Sequence, residues 1–217
     1  MNIEQARFNM IEQQIRPWEV LDPQVLDLLF VVKREDFAPP AWRNLAFADL
    51  EIPLGEGQSM LAPKIEAKLL QELALKKTDK ALEIGTGSGY MAALLAARVE
   101  HVVSVEKRPA LADQARRNLV AAGVANVTVE TGDGLAGSVA QGAYDVIVVS
   151  GSVPEIPPAL LKQLRPAGRL AAIVGVEPVM EAVLVTRTGD DVYNTVNLFE
   201  TVAPPLDGAA AKPVFTL

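Results

Sequence analysis

The fold is decided by one stretch of the sequence, Ala81-Leu82-Glu83-Ile84-Gly85-Thr86-Gly87-Ser88-Gly89-Tyr90. Apolar residues lead into a glycine-rich turn, and the residues that follow, 91–97, have the composition of a helix. Glycine permits positive φ angles and lets a ligand approach the main chain without a Cβ in the way. A helix that starts behind such a turn offers free backbone N–H groups. This order of strand, tight loop and helix is typical of the first unit of a nucleotide-binding α/β sheet.

The charge beside this loop favours one class of ligand. The loop has the pattern G-x-G-x-G after Glu83, which differs from the dinucleotide pattern G-x-G-x-x-G. A carboxylate in that position repels a pyrophosphate and attracts a cation. S-adenosylmethionine (SAM) carries a sulfonium and an ammonium group and no phosphate, so we predict SAM rather than NAD. Taken alone, the loop is also compatible with an ordinary strand-to-helix turn.

Two more acidic residues follow the next two predicted strands. The apolar run 101–105 ends in Glu106, at the position from which a carboxylate accepts hydrogen bonds from ribose hydroxyls. A third strand, 127–130, leads to Asp133, whose carboxylate is placed to accept a hydrogen bond from an adenine amino group. Three such loops after three strands predict a SAM-binding site. Its predicted residues are Glu83, Gly85, Thr86, Gly87, Ser88, Gly89, Glu106, Lys107, Asp133 and Gly134.

Composition and charge exclude several kinds of chemistry. The 217-residue chain has a formal net charge of −7, so it lacks the positive field of a typical nucleic-acid binder. It has no cysteine, which excludes disulfides, thiolate catalysis and cysteine metal sites. The single histidine, His101, opens a predicted strand, so we predict no metal site. The sequence has neither a signal-peptide pattern nor an apolar run of membrane-spanning length, and we expect a cytoplasmic protein that binds no membrane.

The order of the predicted elements divides the chain near residue 78. Residues 1–78 are predicted to form a helical N-terminal extension packed on the core, with a helix capped by Asp22 and an irregular segment at 45–60. Residues 79–217 alternate strands and helices, which predicts a Rossmann-like α/β core that binds SAM. That core ends in a hairpin whose turn lies at 189–191.

Two finer predictions concern the second half of the chain. Residues 166–168, Pro-Ala-Gly, are expected to form a turn before a fifth strand. The tail from Ala203 is rich in Ala, Pro and Gly and is expected to be weakly ordered, with residues 214–217 as a candidate docking segment.

Motifs outside the glycine loop resemble a known family. Residues 34–39 read R-E-D-F-A-P, and residues 46–58 read A-F-A-D-L-E-I-P-L-G-E-G-Q. They are similar to the R-E-x-F-x-P and A-Y-x-D-x-x-L-P-I-G-x-G-Q segments of the protein-L-isoaspartate O-methyltransferases, which are class I SAM-dependent enzymes. The resemblance implies a mostly parallel seven-stranded sheet with helices on both faces. It also implies transfer of a methyl group from SAM to the carboxylate of isoaspartyl residues in damaged proteins, so the expected partners are isoaspartyl proteins or peptides.

The chain departs from that family at one position of its active-site segment. After G-x-G-Q the family reads T-I-S-Q-P or T-I-S-A-P, whereas residues 59–63 here read S-M-L-A-P. Leu61 therefore occupies the place of the serine usually assigned to the active site, and Ser59 occupies that of the threonine. In an extended segment Ser59 and Leu61 point to the same side, so Ser59 offers a hydroxyl from a displaced position. The resemblance also places Asp49 at the acceptor site, although a turn-capping aspartate is the other interpretation.

The departure at Leu61 leaves several functions open. A carboxylate acceptor is ionised at neutral pH and needs no general base, so the enzyme would contribute mainly positioning. The chain either still methylates isoaspartate or methylates another small-molecule or protein acceptor. Two further alternatives are a nucleic-acid methyltransferase and a SAM-binding protein without turnover. Residues 150–154 lack the D/N-P-P-F/Y motif of adenine-amino methyltransferases, and the pattern predicts no oligomeric state.

Overall fold

The computed structural model describes residues 2–137 and 142–209. The α-helices are α1 (Ile3–Asn9), α2 (Pro23–Val31), α3 (Pro63–Glu72), α4 (Tyr90–Ala96), α5 (Pro109–Ala121) and α6 (Pro158–Leu161). Shorter helical segments are a π-helix at Met10–Ile15 and 3-10 helices at Arg16–Trp18, Arg34–Asp36, Pro40–Leu45 and Gly134–Ala136. The strands are β1 (Ile52–Gly55), β2 (Gln58–Met60), β3 (Lys80–Ile84), β4 (His101–Glu106), β5 (Val127–Thr131), β6 (Tyr144–Val153), β7 (Leu164–Val176), β8 (Val179–Gly189) and β9 (Val192–Thr201). Within the two described ranges, no helix is both long enough and apolar enough to cross a membrane.

Seven of the strands form one sheet in the order β5-β4-β3-β6-β7-β8-β9, and β1 pairs with β2 in a separate hairpin. The strands from β5 to β7 are parallel, whereas β8 and β9 are antiparallel. The predicted α/β fold with a mostly parallel seven-stranded sheet is therefore confirmed. Strand β4 lies next to β3 on one side, and β6 lies next to β3 on the other side, so the strand order reverses its direction at β3. In open α/β sheets, ligands bind at the carboxyl ends of the strands at such a point.

The central strands β3 and β6 are buried on both faces. Ala81 belongs to one hydrophobic cluster and Leu82 to a second one, and Val146 and Ile147 divide between the clusters in the same way. This alternation follows the two-residue period of a strand. Because both faces need apolar side chains, β6 contains the continuous apolar run that is typical of a strand covered on both sides.

The segments before β3 share a hydrophobic cluster with one face of the sheet. Ile11 in the π-helix, Leu29 in α2 and Leu69 in α3 belong to the same cluster as Leu94 in α4. The predicted boundary at residue 78 lies in the turn between α3 and β3. This packing connects the hairpin β1–β2 and the start of α3 to the central part of the sheet.

The prediction of a turn at 166–168 was wrong, because these residues lie inside β7. Strands β6 and β7 pair on both sides of them, with Tyr144 opposite Leu164 and Val146 opposite Arg169. The additional residues on β7 form a bulge in the ladder. A local turn signal does not show that pairing resumes, because the partner strand is distant in sequence.

The segment 45–60, expected to be irregular, contains the hairpin β1–β2. Ile52 pairs with Met60, and the ladder shifts its register near the turn. Gly55 and Gly57 have φ values of 93° and 73°, which glycine adopts without strain. The glycines that indicated an irregular segment therefore form the turn of the hairpin.

The N-terminal cap of α2 offers a direct test of this local structure. The Asp22 carboxylate accepts a hydrogen bond from Gln24 N at 2.8 Å. Asp22→Ala should lower the free energy of unfolding by roughly 0.5–2 kcal/mol in denaturant titrations, because a helix donor loses its partner. Asp27→Ala, at an exposed position of the same helix, is the matched control and should change that free energy by less than about 0.5 kcal/mol. Equal losses in the two variants would contradict the assignment of the cap.

Candidate functional site

The glycine loop connects β3 to α4 at the carboxyl ends of the parallel strands. Gly85, Gly87 and Gly89 have φ values of 91°, 52° and 86°, so all three lie in the region that favours glycine. Gly85 N donates to Val105 O at 2.9 Å, which attaches the start of the loop to β4. A Cβ on Gly89 would lie 3.3–3.5 Å from atoms of α5, so glycine also permits close packing there. The predicted strand, loop and helix are present in this order.

Glu106 at the end of β4 binds the backbone of this loop. Its Oε2 accepts a hydrogen bond from Gly87 N at 2.8 Å, and its Oε1 accepts one from Arg108 N at 3.0 Å. The side chain is almost completely buried. Each carboxylate oxygen has a second lone pair, so the group retains acceptor capacity for a ligand.

Asp133 follows β5 and forms the next wall of the site. Its Oδ2 lies 3.0 Å from Lys107 Nζ, and its Oδ1 accepts a hydrogen bond from Leu135 N at 3.1 Å. The hydrogen bond to Asp133 raises the pKa of Lys107. A Cβ on Gly134 would come within 2.8 Å of the Ile84 side chain, so glycine is required for close packing here.

Glu83 is fully buried in the middle of the site. It accepts hydrogen bonds from Ser104 Oγ at 2.5 Å and from Ser150 Oγ at 2.9 Å. Thr86 Oγ1 lies 2.6 Å from Ser104 Oγ and extends this chain of hydroxyl groups to the glycine loop. Burial raises the pKa of Glu83 to about 8, although the two serine hydrogen bonds oppose the rise. A cation placed beside this carboxyl group would favour its ionised form.

Two adjoining cavities collect most of the predicted residues. The first is lined by Gln58, Ser59, Ile84, Gly85, Gly87, Val105, Glu106, Lys107, Asp133, Gly134, Leu135, Ser150, Leu206 and Asp207. The second is lined by Leu54, Ser59, Met60, Leu61, Glu66, Glu83, Gly85, Thr86, Gly87, Ser88, Met91 and Ser150. Ser59 and Ser150 belong to both cavities, so β2 and the residue that follows it meet the glycine loop in one cleft. Gly89 lies outside both linings and packs against α5.

Ser59 and Leu61 face the second cavity together, on the same side as the glycine loop. Leu61 is 4% exposed, so its side chain is an apolar part of the wall. Ser59 Oγ is 3.4 Å from Glu51 Oε2, which is long for a hydrogen bond between oxygens. Its hydroxyl is therefore only weakly engaged and is available to a ligand.

Asp49 lies outside the linings of both cavities. Its Oδ2 forms an ion pair with Lys64 Nζ at 2.6 Å, and Lys64 Nζ lies 4.0 Å from the ring centroid of Trp18. The structure thus places Asp49 next to the start of α3 rather than against the glycine loop. The role of Asp49 at an acceptor site stays a prediction.

A buried ion pair lies at the wall of the second cavity, which Glu66 lines and Arg34 does not. Arg34 pairs with Glu66, and both side chains are at most 5% exposed. Burial raises the pKa of Glu66 to about 7, and the charge and hydrogen bond of Arg34 oppose that rise. The buried pairing of these two residues was not predicted, because a charged residue in a helical segment is usually interpreted as exposed.

The segment 203–209 follows β9 and returns to the edge of the cleft. Ser152 N donates to Pro204 O at 2.8 Å, and Leu206 N donates to Ser152 O at 2.9 Å. The expected weak order of the tail therefore does not hold for these residues. Residues 214–217, a candidate docking segment, lie outside the described part of the chain.

Leu206 and Asp207 in this segment are site residues that the sequence did not indicate. Both line the first cavity, and a Cβ on Gly85 would lie 2.7 Å from a methyl group of Leu206. Arg108 connects the segment to the hairpin β1–β2, because its guanidinium lies 3.2 Å from Asp207 and 3.4 Å from Glu56. Such contacts between distant segments have no local signal in the sequence.

Comparisons with known proteins agree with this geometry. The chain matches the family model of protein-L-isoaspartate(D-aspartate) O-methyltransferase over residues 5–207. A protein-L-isoaspartate O-methyltransferase of Methanoculleus marisnigri is 44% identical over 184 residues, which cover 84% of each chain. The same enzyme of Protochlamydia amoebophila is 41% identical over 202 residues, which cover 92% of this chain and 95% of the relative.

Solved structures agree in fold. A candidate protein-L-isoaspartate O-methyltransferase from Plasmodium falciparum, crystallised in complex with S-adenosyl-L-homocysteine, superimposes with a TM-score of 0.80. It is 19% identical, and the match covers 95% of this chain and 99% of that chain. At this identity the similarity shows the fold alone.

The raised pKa of Glu83 predicts a pH dependence of stability. The native state holds a proton on Glu83 up to about pH 8, whereas the unfolded state releases it near 4.3. Between these values the native state binds more protons, so the free energy of unfolding should fall as the pH rises from 5 to 8. Glu83→Gln mimics the protonated form and should reduce this fall by at least about 1 kcal/mol, since one pKa unit corresponds to ~1.4 kcal/mol.

Denaturant titrations at several pH values measure this effect. Glu100→Gln is the control, because Glu100 is exposed just before β4, at the opposite end of the sheet. The control should keep the wild-type profile. Parallel profiles for Glu83→Gln and the wild type would contradict the prediction.

Proposed function

The chain belongs to the protein-L-isoaspartate O-methyltransferase family, and from that premise we propose how its residues serve SAM-dependent methylation of isoaspartyl carboxylates in damaged proteins. One observation carries the proposal. Ser59 in β2, Leu61 directly after it and the glycine loop line a common cavity. An acceptor held by Ser59 and Leu61 therefore meets a methyl donor held by the glycine loop.

The residues at the carboxyl ends of the strands fit SAM. Glu106 retains acceptor capacity for ribose hydroxyls, and the next strand carries Asp133 for an adenine amino group. Glu83 offers the buried carboxyl group that suits the cationic end of the molecule. Gly85 and Gly134 line the same cavity, where the absence of a side chain lets Leu206 and Ile84 pack closely against the main chain. When bound, SAM supplies a methyl group activated by the positive charge on sulfur.

The protein contributes positioning rather than proton transfer. An isoaspartyl carboxylate has a pKa near 4 and is ionised at neutral pH, so no side chain has to remove a proton. Holding the carboxylate in line with the methyl group accelerates the reaction by lowering the entropic cost of the encounter. We assign this role to the segment 59–61, where Ser59 donates a hydrogen bond to the acceptor and Leu61 forms an apolar wall.

The buried side chain of Leu61 supports a second candidate function. An apolar wall in place of a hydroxyl also fits an acceptor that carries an apolar group. Such an acceptor would be a small molecule or a protein other than an isoaspartyl one. Isoaspartyl peptides remain the proposed acceptor, because residues 34–58 keep the acceptor-side pattern of the family. Methyl transfer to an isoaspartyl peptide, compared with the same peptide containing normal aspartate, distinguishes the two candidates.

Cofactor binding through Glu106 predicts a measurable loss of affinity. Glu106→Ala should weaken SAM binding by roughly 1.5–3 kcal/mol in calorimetry, the range for hydrogen bonds to a charged group. Glu100→Ala removes an exposed glutamate just before the same strand, at its other end, and should leave the affinity unchanged. Equal affinity of Glu106→Ala and wild type would remove Glu106 from the site.

The position of Leu61 predicts opposite effects for the two candidate acceptors. On an isoaspartyl peptide, Leu61→Ser should raise the rate up to about tenfold or leave it unchanged, because a hydroxyl adds one hydrogen bond of roughly 0.5–1.5 kcal/mol. On an apolar acceptor the same change should cost about 1–3 kcal/mol, because it leaves a buried hydroxyl without a partner.

Ser59→Ala completes this test in the same methyl-transfer assay. If Ser59 supplies the displaced hydroxyl, Ser59→Ala should slow the isoaspartyl reaction, and the added Leu61→Ser should restore part of the rate. A wild-type protein that binds SAM but has no isoaspartyl turnover, with Leu61→Ser equally inactive, would contradict the repair function.

A further inference from the structure

We propose that Arg34 is a positioning residue, which holds the acceptor segment 58–63 against the glycine loop through the carbonyl of Leu61. The inference rests on the proposed function, because it assigns a role in binding the acceptor. Arg34 lies outside both cavity linings and does not touch the reacting groups. It acts through the backbone of the segment that does.

The guanidinium of Arg34 holds two points of the segment between β2 and α3. Its Nη2 donates to Leu61 O at 2.6 Å, and its Nη1 forms the ion pair with Glu66 in the first turn of α3. The ladder of the hairpin ends at Met60, and α3 begins at Pro63. Leu61 O therefore lies outside both regular hydrogen-bond patterns, and Arg34 fixes the orientation of its peptide group.

The same guanidinium also contacts the helix behind the glycine loop. It lies 5.2 Å from the ring centroid of Tyr90, which is the first residue of α4 and directly follows Gly89. Tyr90 is 1% exposed, and its ring packs against Phe37 at a centroid distance of 5.5 Å. Arg34 thus joins the acceptor segment to the start of α4 through one rigid planar group.

The position of Leu61 O explains how this contact affects catalysis. The carbonyl of Leu61 belongs to the peptide that leads from the hairpin to α3, so holding it fixes the path of the backbone through Leu61. Without the Arg34 contact, the backbone is free to turn and the Leu61 side chain leaves its place in the cavity wall. Ser59, two residues earlier, moves with it. The expected consequence is weaker or misaligned binding of the acceptor, with little change at the SAM side.

A matched pair of substitutions tests this role. Arg34→Lys keeps the charge, but a single ammonium does not hold Leu61 O and Glu66 in the planar fork geometry of arginine. Arg7 is the control, because it forms a similar buried ion pair with Glu35 but has no hydrogen bond to the acceptor segment. Arg7→Lys should lower the thermal stability comparably and leave the kinetics unchanged.

We expect the substitution to weaken the use of the acceptor and to leave the binding of SAM unchanged. In Arg34→Lys, kcat/KM for an isoaspartyl peptide at saturating SAM should fall about tenfold or more, as expected for one charge-assisted hydrogen bond. The dissociation constant of SAM from calorimetry should stay within about twofold, since Arg34 lies outside the linings of both cavities and a factor of two is only ~0.4 kcal/mol. Equal kcat/KM values per folded molecule in Arg34→Lys, Arg7→Lys and wild type would overturn the proposal.

Two additions keep the test decisive. If Arg34→Lys does not fold, the double variant Arg34→Met with Glu66→Gln removes both charges of the pair, and such replacements are often tolerated. It should show the same loss of kcat/KM. Amide hydrogen exchange should be faster in residues 58–62 of the Arg34 variant than in the same residues of Arg7→Lys. Hydrogen exchange is measured without the acceptor, so it tests the positioning role separately from the proposed function. Faster exchange in a protein without isoaspartyl turnover would reject the proposed function and keep the positioning role. Unchanged exchange would reject the positioning role.

Discussion

Two backbone N–H groups, those of Gly87 and Arg108, donate to the one carboxylate of Glu106. Gly87 belongs to the connection after β3, and Arg108 belongs to the connection after β4. The carboxylate therefore ties together two neighbouring loops at the edge of the sheet where ligands bind. Hydrogen bonds from N–H groups to a carboxylate are among the stronger ones. The contact holds the middle of the glycine turn against the end of β4, next to the Lys107–Asp133 ion pair.

Three buried carboxyl groups near the cleft differ in how their charge is balanced. Among the described residues, Glu106 has two backbone N–H donors, Glu66 has Arg34, and Glu83 has two serine hydroxyls. Burial raises the pKa of Glu66 to about 7 and that of Glu83 to about 8, and the partners of each group oppose the rise. The charges of Glu66 and Glu106 raise the pKa of Glu83 further. Glu83 is thus the carboxyl group whose ionisation a neighbouring positive charge would change most, because a cation favours its ionised form.

The cofactor side of the site was predictable from the sequence because its signals are local. A glycine loop directly follows its strand, and Glu106 and Asp133 directly follow theirs, so strand order alone brings them to one edge. The acceptor side was predictable only in part. Ser59 and Leu61 were identified through the resemblance, whereas the contact between Arg34 and Leu61 O and the return of residues 203–209 to β6 depend on pairing between distant segments. The bulge inside β7 was missed for the same reason.

The return of residues 203–209 to the cleft has a consequence for the order in which the protein is made. Leu206 lies against Gly85, although strands β4 to β9 lie between these two residues in the sequence. A ribosome releases the glycine loop, the hairpin β1–β2 and strands β3 to β6 well before it releases Leu206. A growing chain can therefore fold its hydrophobic core, as domains do during synthesis, while one wall of the ligand cleft is still missing. The cleft acquires all its walls only after the segment beyond β9 has emerged.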